Sequence, residues 1–581
     1  MVWIELTDAI AAALTAAGIH TPERLARLEL AIPRESAHGD WTTNLALLIA
    51  KDVGRPPRAI AEAIVTNLPA DPERFDRAEV AGPGFLNFRY SDRFVGSLVS
   101  RVRTAGERFG SSDLAHGDPV LVEYVSANPT GPLNVVSARA AAVGACLTRL
   151  LRATGHRADG EFYVNDCGNQ VELLGESLAA RFAERAGVER ALPELGYNGA
   201  YLAELAAEVP ETEARAALAA PDGATWFRDQ ALERMVAWQR RDLADYGAEF
   251  ARWFRESELH RSGAVDETLA ALDGRGMTYV GTRPETDHSG GRADGHEEES
   301  DEEREEAIYL RTTRFGDDKD RVVRKSDGRP TYLLPDVAYH RDKRARGWRH
   351  AIDLWGPDHH GYIPRMKAAL QTLGLEADFL DVIIVQQVNL LSGGQPVKMS
   401  KRAGEFVTLR DLMDDVGADC AKFFFLMRST SAHLDFDLDL ARRHNDENPA
   451  YYVQYAHARI ASVLRYAAER GSEPAPADQI DDASAYAAEE RALVRKLATF
   501  PEVVRGAAVA REPHRIPTYL TETAAEFHRF YHACRVVSED APLTRRRLAL
   551  ADAARVVLRN GLALMGVSAP DRMERANEVE S

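Results

Sequence analysis

Pro119-Val120-Leu121-Val122-Glu123-Tyr124-Val125 leads into Ser126-Ala127-Asn128-Pro129-Thr130-Gly131-Pro132-Leu133, and these two pieces decide the fold. The first is an apolar run of strand length, and the second is a polar turn shaped by proline and glycine. Beyond them Val136, Ala140, Val143, Leu147 and Leu150 recur at helical spacing, and Glu161-Phe162-Tyr163-Val164 resumes a strand. Strand, helix, strand is a βαβ unit, which predicts parallel pairing and a right-handed crossover. A polar loop feeding a helix N-terminus gathers unpaired backbone N–H groups and the positive end of a dipole, a setting that suits a phosphate. The plainer reading of the same loop is a capped βα turn.

The pattern returns downstream, with a strand over Ala351–Trp355, a helix over Ile363–Leu373 and a strand over Phe379–Leu391. Together the two stretches predict a doubly wound sheet over 113–407, interrupted by a mostly helical insertion at about 171–306 that ends in an acidic loop, 285–306. Residues 1–112 open with a helical pattern (Ile10, Leu14, Ile19). They close on the turn Ala81-Gly82-Pro83-Gly84 before Phe85-Leu86-Asn87-Phe88, which predicts a small α+β module. From 408 to 581 the pattern is helical throughout, with Val453, Ile460, Val463, Leu548, Ala549, Val556 and Leu558 as core-face candidates.

A chain of 581 residues exceeds one hydrophobic core, and at roughly 150 residues per domain it predicts about three or four. Its formal net charge of -18 argues on its own against a nucleic-acid partner, because phosphate binding leaves a basic footprint. The charge is uneven, however. Residues 285–306 hold 11 acidic and 2 basic residues, a net of -9, whereas 441–573 hold 19 basic and 17 acidic, a net of +2. The first twenty residues carry Glu5 and Asp8 and lack a basic segment, so no signal peptide is expected. No apolar run reaches the length of a membrane span. Cys146, Cys167, Cys420 and Cys534 are scattered without a CxxC pair, so the expectation is no zinc site, no disulfide framework, no metal-ligand set and a reduced cytoplasm.

A second loop carries chemistry. Ser392-Gly393-Gly394 precedes Lys398-Met399-Ser400-Lys401-Arg402. Two lysines three apart on a glycine-flanked loop offer point charges to a triphosphate and to the charge that develops on it in a transition state. A solvated basic loop is the alternative. Both loops follow strands, on the side of an open α/β sheet where ligands bind.

Lys398 to Arg402 resembles the KMSKS signature of class I aminoacyl-tRNA synthetases, and 127–137 occupies the place of their HIGH signature. Within that class the chain resembles the arginyl-tRNA synthetases. The resemblance is carried by Tyr124 to Leu133, Tyr163-Val164-Asn165-Asp166, Lys325-Ser326-Asp327-Gly328, Trp355-Gly356-Pro357-Asp358-His359-His360-Gly361 and Tyr451-Tyr452-Val453-Gln454-Tyr455-Ala456-His457-Ala458-Arg459. It implies a Rossmann-like α/β class I core, an N-terminal α+β module that touches tRNA, and a C-terminal all-α anticodon-binding bundle. It implies ATP-dependent ligation of L-arginine to tRNA(Arg) through arginyl-adenylate, with Mg²⁺ as an ion bound to the substrate, in a cytoplasmic monomer.

By the same resemblance, Glu123 and Asp336 would take the cationic arginine with Tyr332 against it, since a guanidinium suits opposed carboxylates and an aromatic face. Asn128 would contact the amino-acid backbone and Gln170 the side chain. Pro132, Leu133, Gly356, Asp358, His359, Met399 and Ser400 would line ATP, and Lys398, Lys401, Asn134 and Ser137 would act on its phosphates. Tyr451, Tyr452, Gln454, Tyr455, Arg459 and Arg545 would meet tRNA, combining charge with stacking surfaces. A buried lysine or arginine of the protein is the alternative partner for Glu123, and helix packing is the alternative role of the tyrosines.

The chain departs from the family at one place. Where the pattern His-x-Gly-His is expected it has Asn134-Val135-Val136-Ser137. Asn134 and Ser137 can still donate to a phosphate oxygen but carry no imidazolium charge, and Val136 puts a β-branched side chain where glycine lets adenine approach. Two readings follow: a working synthetase with slowed chemistry, or a synthetase-like paralogue that binds tRNA or arginine. The acidic bulk outside the anticodon bundle points to a chain tuned for high intracellular salt.

Overall fold

The central strand of the molecule is Pro119–Glu123 (β1), buried from Val120 onward, as a strand covered on both faces must be. It leads through the helix Val135–Ala153 (α1) to Arg157–Val164 (β2), which pairs with it in parallel register, Val122 opposite Gly160. On its other side β1 pairs in parallel with His350–Trp355 (β4), and β4 with Leu380–Ile384 (β5). Arg252–Arg255 (β3) closes the far edge beside β2. The order β5-β4-β1-β2-β3 is that of a doubly wound sheet whose direction reverses between β1 and β4. Ligands bind outside the strand ends at such a reversal. The structure is a computed structural model and describes residues 2–20, 28, 30–33, 35, 38–69, 71, 73–282, 306–397, 407–479 and 485–573.

One core cluster joins Phe254, Leu333, Leu334 and Val337 with Ala351, Met366, Phe379 and Leu380, packing the helices Leu333–Ala345 (α2) and Tyr362–Thr372 (α3) against the sheet. Helix α1 buries nearly every side, with Val135, Ala138, Ala141, Ala142, Val143 and Leu147 inside, while Val136 and Ala140 are only half-buried. Its inner face is therefore rotated from the expected stripe. The insertion has its own core, in which Leu174, Leu178 and Phe182 of the helix Asn169–Ala186 meet Phe227, Ala231 and Met235 of Gly223–Asp245.

Three expectations are corrected. The stretch expected to be wholly insertion supplies the core strand β3. The strand expected over Phe379–Leu391 is two: β5 stays in the main sheet, and Val388–Ser392 leaves it to pair with Leu434–Asp437. That second partner interrupts the helical pattern expected after 408, and residues up to Arg443 belong to the same compact unit as the sheet. The acidic loop 285–305 and the lysine loop 398–406 lie outside the described residues.

The other compact unit joins residues 1–112 to 444–581. Its N-terminal part is α+β as expected, with the antiparallel order Trp41–Thr43, Phe85–Tyr90, Phe75–Ala81. Its C-terminal part is a bundle of Pro449–Ala468, Ala488–Ala498, Phe500–Ala510, Arg515–Ala533 and Ala541–Met565. The two parts share buried charge. Asp40 takes Arg491 at 3.1 Å and Arg495 at 2.8 Å, and Arg103 pairs with Asp552 at 2.9 Å. Among the described residues no helix is long and apolar enough to cross a membrane.

Candidate active site

The chain leaves β1 by a strained turn. Val125 and Ser126 both adopt positive φ, 69° and 39°, a region where a β-branched residue is a true outlier and which concentrates at functional sites. The expected strand therefore ends at Glu123, and Val125 belongs to the turn. The turn has a use: Ser126 Oγ donates to Glu123 Oε1 at 2.9 Å and accepts from the Tyr163 N–H of β2 at 3.1 Å.

Glu123 itself is met from within. Lys343 Nζ of α2 donates to Glu123 Oε2 at 2.6 Å and to Asp353 Oδ1 of β4 at 2.9 Å, and His340 Nε2 lies 2.9 Å from Asp353 Oδ2. Lys343 is 0% exposed, so the ammonium is wholly supported by these groups. Burial alone would lower its pKa, but the Asp353 and Glu123 carboxylates more than offset this and hold it above the ordinary lysine range. Burial also opposes the Asp353 charge, yet Lys343 and His340 bring that carboxyl down to about 2. Glu123 is pushed up by burial and pulled back by Lys343. The expectation that the Glu123 charge is met by a bound guanidinium is thus corrected: an isolated carboxylate in an apolar strand is too costly, and the fold supplies its own cation.

Asp336 differs. It lies one turn into α2, accepts from the Tyr362 hydroxyl at 2.9 Å, and is raised by burial to about 7 despite that bond. Its field also contains Glu256, whose own carboxyl is raised by burial and which receives the Tyr163 hydroxyl. Two desolvated carboxylates around aromatic hydroxyls make a setting for an incoming cation. Tyr332 stands at the start of α2, 68% exposed, with its carbonyl accepting from the Asp336 N–H at 3.3 Å.

The loop after β1 is built from three directions. Asn128 Nδ2 donates to Gln170 Oε1 at 2.9 Å, bringing together two residues expected at the site. Gln239, buried in the insertion, donates to the carbonyls of Asn128 and Gly131 at 3.2 and 2.9 Å, and Tyr201 donates to the Thr130 carbonyl at 2.7 Å. No local signal marks Gln239 or Tyr201, since their role exists only once the insertion folds back. His340 and Lys343, one turn apart on α2, carry a legible pattern: two basic groups facing a buried side need carboxylates there.

Asn134 is a helix cap. Its Oδ1 accepts from the N–H groups of Val136 and Ser137, both at 3.0 Å, and from Ser137 Oγ at 3.3 Å. The cap uses the side-chain oxygen alone, so the Nδ2 amide is a separate donor at the same helix end. Leu133 is 1% exposed, a core residue rather than a nucleotide contact, and its carbonyl accepts from Leu409 N–H at 2.7 Å. Asn134 also bridges to Thr408, so the segment that ends the lysine loop is laid against the start of α1. At the loop's other end Asp439 accepts from the Gly393 N–H. Lys398, Met399, Ser400 and Lys401 themselves lie outside the described residues. Gly356, Asp358 and His359 follow β4 in a turn, with both side chains exposed and His359 edge-on to Trp355.

In the bundle the tyrosine row is partly core. Tyr451 is 6% exposed and stacks on Tyr455 at 5.7 Å, which corrects its expected tRNA contact. Arg459 lies over the Tyr455 ring at 4.8 Å and bonds its hydroxyl at 2.7 Å, while Tyr452 packs against His528. Gln454 donates to the Ser568 carbonyl at 3.0 Å. Arg546 and Arg547 are committed to Glu490, and Arg545 is exposed.

Known proteins share this plan. A family model described as the arginyl tRNA synthetase N terminal domain matches residues 5–90, and one described as the DALR anticodon binding domain matches 453–573. Arginine–tRNA ligase 1 of Halalkalibacterium halodurans is 42% identical over 573 residues, 98% of each chain. The arginine–tRNA ligase of Symbiobacterium thermophilum is 44% identical over 576 residues, again 98% of each. A solved structure described as a putative arginyl-tRNA synthetase, from Campylobacter jejuni, superposes with a TM-score of 0.73 at 33% identity, covering 83% of this chain and 100% of that one. The Thermus thermophilus arginyl-tRNA synthetase superposes with a TM-score of 0.73 at 22% identity over 99% of this chain and 100% of its own, a likeness of fold. With the parallel core, the helical C-terminal domain and relatives this similar over nearly the full length, the chain belongs to the arginyl-tRNA synthetase family, the class I arginine–tRNA ligases.

Proposed function

We propose that this family activity, ATP-dependent ligation of L-arginine to tRNA(Arg) through arginyl-adenylate, is performed at the reversal between β1 and β4. The observation that carries the reading is Asp336, a desolvated carboxylate whose hydrogen-bond donor is the neutral Tyr362 hydroxyl and whose neighbour Glu256 is also acidic. An arginine guanidinium supplies the charge this setting favours, and Tyr332 supplies an aromatic face. Asn128 holds the amino-acid backbone and Gln170 meets the side chain, which positions the carboxylate for in-line attack on the α-phosphate of ATP. A pocket built on paired charge rejects amino acids without a guanidinium, so the 171–306 insertion serves loop support and tRNA contact rather than editing.

ATP lies along Pro132, Gly356, Asp358, His359, Met399 and Ser400, with Mg²⁺ arriving as part of that substrate. Lys398 and Lys401 stabilise the departing pyrophosphate, and Asn134 Nδ2 and Ser137 are the side-chain donors at the start of α1. Tyr452, Gln454, Tyr455, Arg459 and Arg545 face tRNA in the slightly basic bundle. The protein works as a cytoplasmic monomer in a salt-rich interior.

The test is tRNA-dependent ATP–pyrophosphate exchange with arginine. Exchange is expected in the native chain and is expected to be faster in a variant carrying Asn134→His, Val136→Gly and Ser137→His. Exchange in that variant with none in the native chain contradicts the reading.

A further inference from the structure

The loop that leaves β2 and the helix that follows β3 meet at a side-chain cluster of which only Glu256 figures in the arginine reading. Cys167, Glu256 and His260 each present one donor atom, and the three atoms lie within 4.8 Å of one another. Glu256 and His260 sit one turn apart on the helix Glu256–Ser262, so they project from one face. His260 Nε2 is 3.5 Å from Glu256 Oε1. Two ligands bound about 2.0–2.1 Å from a tetrahedral Zn²⁺ stand roughly 3.3 Å apart, so this pair already spans close to the edge of such a site. Because Cys167 is some ninety residues away in sequence, no local spacing announces the set.

The frame is held from outside. Asp166 accepts from the Ser257 N–H at 2.8 Å and from Ser257 Oγ at 2.7 Å, tying the Cys167 loop to the first turn of the helix. The Asn165 carboxamide, with its NH₂ turned to the acceptors, donates to Glu256 Oε2 at 3.0 Å and to the Cys167 carbonyl at 3.2 Å. Glu256 Oε2 is thereby occupied while Oε1 faces His260. Outer hydrogen bonds of this kind orient metal ligands. One thiolate, one imidazole and one carboxylate form a donor set for Zn²⁺ or its probe Co²⁺ rather than for the hard Mg²⁺, and three protein ligands leave a fourth position for water.

We infer that Cys167, Glu256 and His260 bind a zinc-class divalent cation. Binding releases the Cys167 thiol proton to solvent, and the thiolate, imidazole and carboxylate each give an electron pair to the ion.

The experiment uses the full chain, stripped with a chelator and titrated with Co²⁺ alone. One equivalent should produce a thiolate-to-cobalt charge-transfer band that Zn²⁺ erases. Cys167→Ser should abolish the band. His260→Ala, at an exposed position, should weaken binding while leaving the metal-free melting curve unchanged. No band, or a band that survives Cys167→Ser because another of the four cysteines supplies it, overturns the site.

Discussion

Lys343 Nζ stands 2.6 Å from Glu123 Oε2 and 2.9 Å from Asp353 Oδ1, so one ammonium ties the ends of β1 and β4 together at the reversal of the sheet. Removing the ammonium leaves two carboxylates in the interior. Lys343→Met should therefore cost about 3–5 kcal/mol, the loss seen when one partner of a buried ion pair is deleted. Denaturant unfolding measures this, and a loss below about 1 kcal/mol contradicts the pairing.

The Asn134 cap makes a smaller and separate prediction. Asn134→Ala leaves the Val136 and Ser137 N–H groups without their acceptor and should cost about 1 kcal/mol, whereas Asn134→Asp should restore most of it. Equal stability of the alanine and native chains in thermal unfolding would show that the cap does not hold in solution.

How much of this was legible depends on how local the cause is. The βαβ unit, the loop after β1 and the α+β module follow from periodicity and turn residues that act within a few positions. The edge strand β3 was not legible, because four residues after a long helical insertion carry no pattern that separates a core strand from a loop. The sequence leaves the partner of Glu123 open between substrate and protein cation, and only the fold brings Lys343 to it from 220 residues away. Tyr451 reads equally as ladder or core until its neighbours are in place. The motif position of Asn134 suggests a phosphate donor, and the geometry adds what the motif does not show, an Oδ1 that caps its own helix.

Asp336 gives opposite pH trends for binding and stability. Its carboxyl is raised to about 7 in the folded protein, above its ordinary value. Between its ordinary pKa and about 7 the carboxyl holds more protons folded than unfolded, so its contribution to stability is fully present at low pH and is lost as pH rises through about 7. Arginine needs the ionised form, so its affinity should rise over the same interval, by up to about tenfold per pH unit below 7. Calorimetric titration with arginine from acid to neutral pH should show proton release, and Asp336→Asn should bind weakly with no pH trend. A pH-independent native Kd contradicts this assignment.

The uneven acidity has a measurable consequence. With -9 of the -18 charges in 285–306 and the bundle slightly basic, molar KCl should screen self-repulsion and improve both activity and resistance to unfolding. A steady loss of both across the same titration contradicts salt adaptation.

The central claim is that the altered start of α1 still supports the family chemistry. The most direct measurement is formation of arginyl-tRNA from labelled arginine, ATP and a tRNA(Arg) transcript by the native chain, beside the variant carrying Asn134→His, Val136→Gly and Ser137→His. The account predicts charging by both chains, slower in the native one by about 10²–10³ if a lost phosphate donor sets the rate. An active triple variant beside a native chain that forms no arginyl-tRNA would contradict it.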